Sequence, residues 1–280
     1  MLKTHDCLDV EPCEPQKLFQ TEELIDACNK IKLGKAPGPD ILTPEIVRES
    51  ILGEVNFYKK LFDSLLRMNK FPDIWKKTRL VPIEKPKKTV KERTKYRPIC
   101  LVSSLGKVYE NLIKKRLNDE IDERGGLQEM QYGFRSGRST INAVEKVIKT
   151  AKGNDETGTS EWCALILIDV KNAFNTADWK LIIDKLQKRE ISEYLVNIIK
   201  NYLNKREVQI DRNTILEIGG GVPQGSVLVP TLWNVLYDDI MRIDVPDGTT
   251  MICCTWQCNR SYSMKHQYGK ELWKLTNTRT

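Results

Sequence analysis

The stretch Leu165-Ile166-Leu167-Ile168-Asp169-Val170-Lys171-Asn172-Ala173-Phe174-Asn175 joins four consecutive aliphatic residues to an acid and, five positions on, an aromatic ring. Cys163 and Ala164 precede it. Such a run reads as a β-strand buried on both faces. A carboxylate at the end of a buried strand is costly to desolvate unless something meets it. Asp169 therefore opens onto a partner such as an oxygen-binding metal ion, or it caps the turn that follows. The local pattern leaves both open. Phe174 stands where a flat ring walls a pocket over that carboxylate.

Outward from this stretch, composition narrows the classes. The chain has 280 residues, 40% of them hydrophobic, and carries 45 basic against 38 acidic side chains for a net charge of +7. That is core enough for one large or two small domains, with a charge that suits a polyanion. Eight cysteines are scattered without a framework spacing. With no secretory leader read ahead of them, reduced thiols in an intracellular protein are expected, nucleus and cytoplasm both being compatible. No 18-residue apolar run is present, so no membrane partner is expected. His5 and His266 are the only histidines, too few for a His-based triad or a His-rich zinc site.

The chain upstream alternates helices with shaped loops. Thr21 is read as the cap of a helix carrying Leu24, Ile25, Cys28 and Ile31. Gly34-Lys35-Ala36-Pro37-Gly38-Pro39-Asp40 is a shaped loop, and Thr43-Pro44-Glu45 a helix start. Arg79-Leu80-Val81-Pro82-Ile83 reads as a strand that Pro82 confines to an edge or bulge, with Tyr96 to Leu101 returning. Between them, Lys85, Lys87, Lys88, Lys91, Arg93 and Lys95 make a basic hairpin tip. Ser103 or Ser104 begins a helix to about Asp122. Gln131 to Thr140 interleaves aromatics with arginines, a mix suited to stacking and phosphate contact, and a helix follows to Ala151. Downstream, helices begin at Asp178 and Ser192. A hairpin turns across Asp211-Arg212-Asn213. The glycine-rich span Gly219 to Ser226 permits close backbone approach to a ligand, and a helix follows to about Met241.

Taken in order, six blocks resemble the reverse transcriptase domain of non-LTR, LINE-like retrotransposons. They are Gly34 to Asp40, Arg79 to Pro86, Tyr96 through Glu110, Gln131 to Thr140, Leu165 to Phe174, and Gly221 to Asn234, where Val229 replaces a glycine of the family. The resemblance implies an α+β, right-hand polymerase. It would be helix-rich with a small antiparallel sheet: a lead-in at 1–20, fingers at 21–160, a partial palm at 161–252 and an atypical tail at 253–280. It implies RNA template, DNA primer and deoxynucleoside triphosphates as partners, and Mg2+ as cofactor. By the same resemblance Asp169 is a catalytic, metal-binding carboxylate with the Val170 carbonyl beside it. Phe174 gates the sugar, Gln224 and Gly225 line the nucleotide and template site, and Lys85 and Arg97 hold the triphosphate. Arg135 and Arg138 are the expected nucleic-acid contacts.

The family's next block, a strand-turn-strand with two aspartates, should follow Thr249 to Cys253. No aspartate occurs from Thr249 to Thr280. The change of character after Cys253 suits a frameshift or misjoined exon, which the genomic reading frames would reveal. Tyr237-Asp238-Asp239 falls in a helical stripe and is read as a decoy. Cys253, Cys254, Cys258 and His266 match no closed zinc spacing. Three readings stand: a polymerase domain that is catalytically incomplete as written, a non-catalytic RNA- or DNA-binding remnant, and a helical scaffold or interaction protein. The ordered loops around Asp169 argue against the scaffold.

Overall fold

The computed structural model describes residues 13–15, 17–84, 96–152, 165–168, 173–247, 249–254, 261–265 and 274–278. They fall into two compact units, one drawn from residues 1–127 and 171–237, the other from 128–170 and 238–280. In chain order the elements are α1 (Thr21–Asn29), α2 (Pro44–Gly53), α3 (Val55–Arg67), a short α4 (Asp73–Lys76), β1 (Lys77–Glu84), β2 (Tyr96–Leu101), α5 (Ser104–Glu123) and α6 (Thr140–Lys152). A one-turn α7 (Ala173–Thr176), α8 (Trp179–Lys188), α9 (Glu193–Leu203), β3 (Arg206–Gln209), β4 (Ile215–Ile218) and α10 (Val229–Asp238) follow. A 3-10 turn (Ile240–Arg242), β5 (Ser261–Lys265) and β6 (Lys274–Thr278) complete them.

Most helices start where the sequence says they should. Thr43 Oγ1 accepts from the Ile46 N–H at 3.4 Å, with Pro44 in the first turn of α2. Ser103 Oγ accepts from the Gly106 N–H at 3.1 Å to open α5. Asp178 does the same for α8 through the Leu181 N–H, also at 3.1 Å. Each cap satisfies a backbone donor that the helix leaves orphaned, a contribution of about 1 kcal/mol. At α1 the cap sits one residue before Thr21. Gln20 takes that place, and its N–H donates to the Glu23 carboxylate at 2.8 Å.

The core of the larger unit is aromatic. Phe62 stacks on Tyr109 with ring centres 5.5 Å apart, Phe71 meets Tyr202 edge-on at 5.0 Å, and Trp75 lies 6.0 Å from Tyr109. Such pairs add about 0.5–1.5 kcal/mol each beyond the area they bury. They draw α3, α4, α5 and α9 onto one centre.

The sheet runs β2-β1-β3-β4. β1 and β2 pair antiparallel, as do β3 and β4. β1 and β3 pair parallel, Lys77 against Glu207 and Arg79 against Gln209. The sheet is therefore mixed, which corrects the antiparallel expectation: a parallel pair needs a long crossover, and the helices between β1 and β3 supply it. Pro82 faces Pro98 on β2 and lies beyond Arg79, the last residue of β1 paired to β3. That side of β1 is open there, so the missing N–H of Pro82 breaks no ladder.

Residues 165–168 overturn a second expectation. They form no strand, and Ile166 and Ile168 are 80% and 86% exposed. A strand is stable only against a hydrogen-bonding neighbour, and among the described residues none pairs with this run. Part of the tail is regular. β5 and β6 form an antiparallel hairpin, Ser261 opposite Thr278 and Lys265 opposite Lys274.

Arg116 on α5 ties the chain's early segment to the larger unit. Its Nε and Nη2 donate to the two Glu23 carboxylate oxygens at 3.0 and 2.9 Å. Its Nη1 and Nη2 also reach the carbonyls of Lys17 and Leu18, each at 3.0 Å. Burial alone raises the Glu23 carboxyl, but the Arg116 and Gln20 hydrogen bonds and the nearby positive charge outweigh it and hold the group at about 2. A depressed acid stabilises the fold above its unfolded value near 4.3 and loses that contribution as pH falls toward 2. Because the carboxylate is partly open to solvent, the contribution is about 1 kcal/mol. Replacing Glu23→Gln should therefore lower the urea midpoint at pH 7 and leave it unchanged near pH 2. Equal loss at both pH values would contradict this.

Candidate functional site

In the larger unit, one loop collects contacts from three directions. After β4 the chain turns at Gly221, whose N–H donates to the Ala177 carbonyl at 2.9 Å. The Trp179 indole N–H donates to the Gly221 carbonyl at 2.7 Å. Gly221 has φ +73°, and a Cβ there would lie 2.7 Å from the Asn175 carbonyl oxygen, so only glycine fits. The next N–H, from Val222, donates to the Phe174 carbonyl at 2.6 Å. The Phe174 ring meets Trp233 of α10 edge-on at 5.7 Å. Phe174 is thus fixed at both backbone and ring beside the Gly221–Gly225 loop.

From the other side β2 takes hold. As an edge strand β2 has backbone groups to spare, and the Cys100 N–H donates to the Gln224 carbonyl at 2.8 Å. Gly225 follows at φ +137°, so close to β2 that a Cβ would stand 2.3 Å from the Cys100 carbonyl oxygen.

The rear of the loop rests on a buried network. Glu110 of α5 is 1% exposed. Its Oε2 accepts from the Ser226 hydroxyl at 2.6 Å and from the Leu228 N–H at 3.3 Å, with a short bond from the Val227 N–H between them. Tyr202 donates its hydroxyl to Ser226 Oγ at 2.8 Å. The Arg206 guanidinium, 1% exposed, donates to the Tyr202 carbonyl at 3.1 Å and lies 4.5 Å from that ring's centre. Burial pushes the Glu110 carboxyl up, against the hydrogen bonds from Ser226, Val227 and Leu228 and the positive charge of Arg206. Lys107, one turn earlier, is pulled down by burial while Glu110 and Asp40 oppose the shift. Both oxygens of Asp40 are shielded from solvent and, among the described residues, have no hydrogen-bond partner. The Gly34–Asp40 loop that carries it is pinned where Arg79 donates to the Pro37 carbonyl at 3.4 Å.

The structure thus brings Phe174, Gln224 and Gly225 together. Arg97 stands on β2 opposite Ile83. Lys85, Asp169 and Val170 lie outside the described residues. Arg135 and Arg138 belong to the smaller unit, where each also makes contacts within the fold. Arg135 Nη1 donates to the Gln128 carbonyl at 2.9 Å, and Arg138 donates to the Glu129 carbonyl and lies 5.4 Å from the centre of the Tyr132 ring. In that unit Tyr132 N–H donates to the Cys253 carbonyl at 2.8 Å and Cys253 N–H to the Met130 carbonyl at 3.0 Å. Asp238 is fully buried, ion-paired with Arg242 Nε at 2.5 Å and accepting from the Gln128 N–H. No three His, Cys, Asp or Glu side chains among the described residues gather into a metal site.

Sequence reasoning missed the Glu110 network. One signal was present: Glu110 shares a helical stripe with Gly106, Ile113 and Leu117, all buried, and an acid in an apolar stripe requires a partner.

A family model described as reverse transcriptase (RNA-dependent DNA polymerase) matches residues 83–246. "Probable RNA-directed DNA polymerase from transposon BS" of Drosophila melanogaster is 33% identical over 231 residues, covering 81% of this chain and 25% of that protein. The RNA-directed DNA polymerase from mobile element jockey of the same species is 32% identical over 230 residues, with the same 81% and 25% coverage. The retrovirus-related Pol polyprotein from type-1 retrotransposable element R1 of Bradysia coprophila is 28% identical over 235 residues, 82% of this chain and 23% of that protein. The chain spans about a quarter of the length of these relatives.

Proposed function

We propose, because the chain belongs to the reverse transcriptase (RNA-dependent DNA polymerase) family, that it forms the template- and nucleotide-binding part of a retrotransposon RNA-directed DNA polymerase, with fingers and a partial palm. The observation that carries this reading is the Val222 N–H on the Phe174 carbonyl, 2.6 Å. It ties the backbone at Phe174 to the loop that leads into Gln224 and Gly225, and on this reading the ring presses on the sugar of an incoming nucleotide while the glycine leaves the base pair room. Arg97 on β2 and Lys85 just beyond β1 serve the triphosphate, and Arg135 and Arg138 serve the phosphates of template or primer. Asp169 and the Val170 carbonyl form the first half of the metal site.

The family works with divalent ions, and the donor set of this chain does not fit a pair of them. Mg2+ needs a near-octahedral shell of oxygens, with carboxylates to anchor it. Asp238 is ion-paired with Arg242, and no aspartate occurs from Thr249 to Thr280. A chain that binds template and primer without completing catalysis is the reading these residues support.

Fluorescence anisotropy with a labelled RNA–DNA hybrid tests this. Affinity should fall about 10- to 100-fold between 50 and 200 mM salt and differ little between sequences, because phosphate contacts dominate. Affinity that stays flat with salt would count against the reading.

A further inference from the structure

We infer that Glu110 is a positioning residue that, together with the Cys100 backbone, clamps the 224–228 segment from both ends. This rests on the reading that Gln224 and Gly225 line the nucleotide and template site. The grip at the front is the Cys100 N–H on the Gln224 carbonyl, 2.8 Å. The grip at the rear is one carboxylate oxygen drawing in three donors from Ser226, Val227 and Leu228. Both grips come from the single β2–α5 passage, and Ser103 fixes the helix start between them. A shift of β2, which carries Arg97, is thereby passed to Gln224 and Gly225 without slack.

Three features separate this from ordinary core packing. Glu110 sits 116 to 118 residues from its donors in sequence, so no local turn demands it. A buried carboxylate without partners is strongly unfavourable, and here the donors come from the segment that enters α10. Arg206 supplies a buried positive charge close enough to oppose the burial of the carboxylate. Among the described residues, two of its own donors, Nε and Nη2, find no hydrogen-bond partner. It acts on Glu110 as a charge rather than as a bonded partner. Tyr202 bridges the two by holding Ser226 Oγ and offering its carbonyl to Arg206.

The chemistry dictates the order of variants. Glu110→Gln keeps one carbonyl oxygen at the same reach. Glu110→Asp withdraws the acceptor by a methylene. Ser226→Ala removes one donor with little change in volume. Leu112→Ala, on the same helix but outside the network, matches them for loss of stability. The experiment measures amide hydrogen exchange at Val227 and Leu228 together with hybrid binding. Glu110→Asp should speed exchange at those two amides by about 10-fold or more and weaken binding by about 10-fold. Glu110→Gln keeps the acceptor but leaves the buried Arg206 charge unopposed, so it should also speed exchange and weaken binding, whereas Ser226→Ala should speed exchange less. Leu112→Ala should lose stability while leaving binding unchanged. Unchanged exchange in both Glu110→Asp and Ser226→Ala would overturn the clamp. Faster exchange with unaltered binding would keep the clamp and overturn the placement of the nucleotide and template site. Binding lost equally in Leu112→Ala would reduce Glu110 to a core residue.

Discussion

On poly(rA)/oligo(dT) with magnesium, the chain as it stands is expected to extend the primer no faster than background. Two-metal nucleotidyl transfer needs several carboxylates around ions about 4 Å apart. This sequence offers Asp169 and no aspartate after Thr249. Losing one oriented electrostatic group costs about 10²–10³ in rate, and on the proposed reading the aspartate pair expected just after Cys253 would be missing. Replacing the residues after Cys253 with the family's strand-turn-strand and its two aspartates should restore extension by at least about 10³-fold. Asp169→Ala in that repaired chain should abolish it again. The sharpest contrary result is robust extension by the unrepaired chain that disappears on Asp238→Ala or Asp239→Ala. Such a result would require Asp238 to leave the Arg242 ion pair that now holds it.

The second large effect falls on Gly225. In Gly225→Ala the new methyl would start 2.3 Å from the Cys100 carbonyl oxygen, and the backbone sits at φ +137°. Backbone is the least yielding neighbour a side chain can meet, so either the Gln224–Cys100 bond breaks or β2 bends. A loss of about 3 kcal/mol or more is expected. Gly34→Ala isolates the conformational part: Gly34 has φ +69° with nothing within 4 Å of the added carbon. It should lose only about 1 kcal/mol. Urea denaturation of the two variants side by side measures the difference. Equal losses would show that the approach to Cys100 relaxes freely.

The sequence was most legible where physics is local. Thr43 before Pro44, Ser103, and Asp178 declare helix starts because a cap depends only on neighbours within one turn. The β1–β2 hairpin was legible for a similar reason, since both strands flank one basic connection. Leu165 to Ile168 misled because four aliphatic residues state a preference for burial but cannot supply the neighbour that burial requires. The parallel β1–β3 pairing was invisible for the same reason, as nothing near Lys77 encodes the arrival of Glu207. In the candidate site, the glycine-rich span stood out by its composition and Gln224 and Gly225 through the resemblance, whereas Glu110 needed the third dimension. Its donors lie on the far side of the chain, and only the stripe it shares with Ile113 and Leu117 hinted at it. The one-residue shift of the α1 cap, from Thr21 to Gln20, arises because the Glu23 carboxylate reaches back to the Gln20 N–H.

The parallel pairing of β1 with β3 also sets a timetable for synthesis. Thr78 Oγ1 reaches the Glu207 carbonyl at 3.2 Å across 129 residues of chain. At ribosomal speeds of 5–20 residues per second, β1 waits roughly 10 s for that partner to emerge. During the wait α1, α2, α3 and α5 can already pack, since their contacts are nearer in sequence and close quickly. The β1–β2 hairpin meanwhile presents an unpaired edge to the crowded surroundings of the nascent chain. The parallel pair is thus among the late contacts of the larger unit, alongside the Phe71–Tyr202 ring contact and the Cys100–Gln224 bond, which wait on chain that emerges as late.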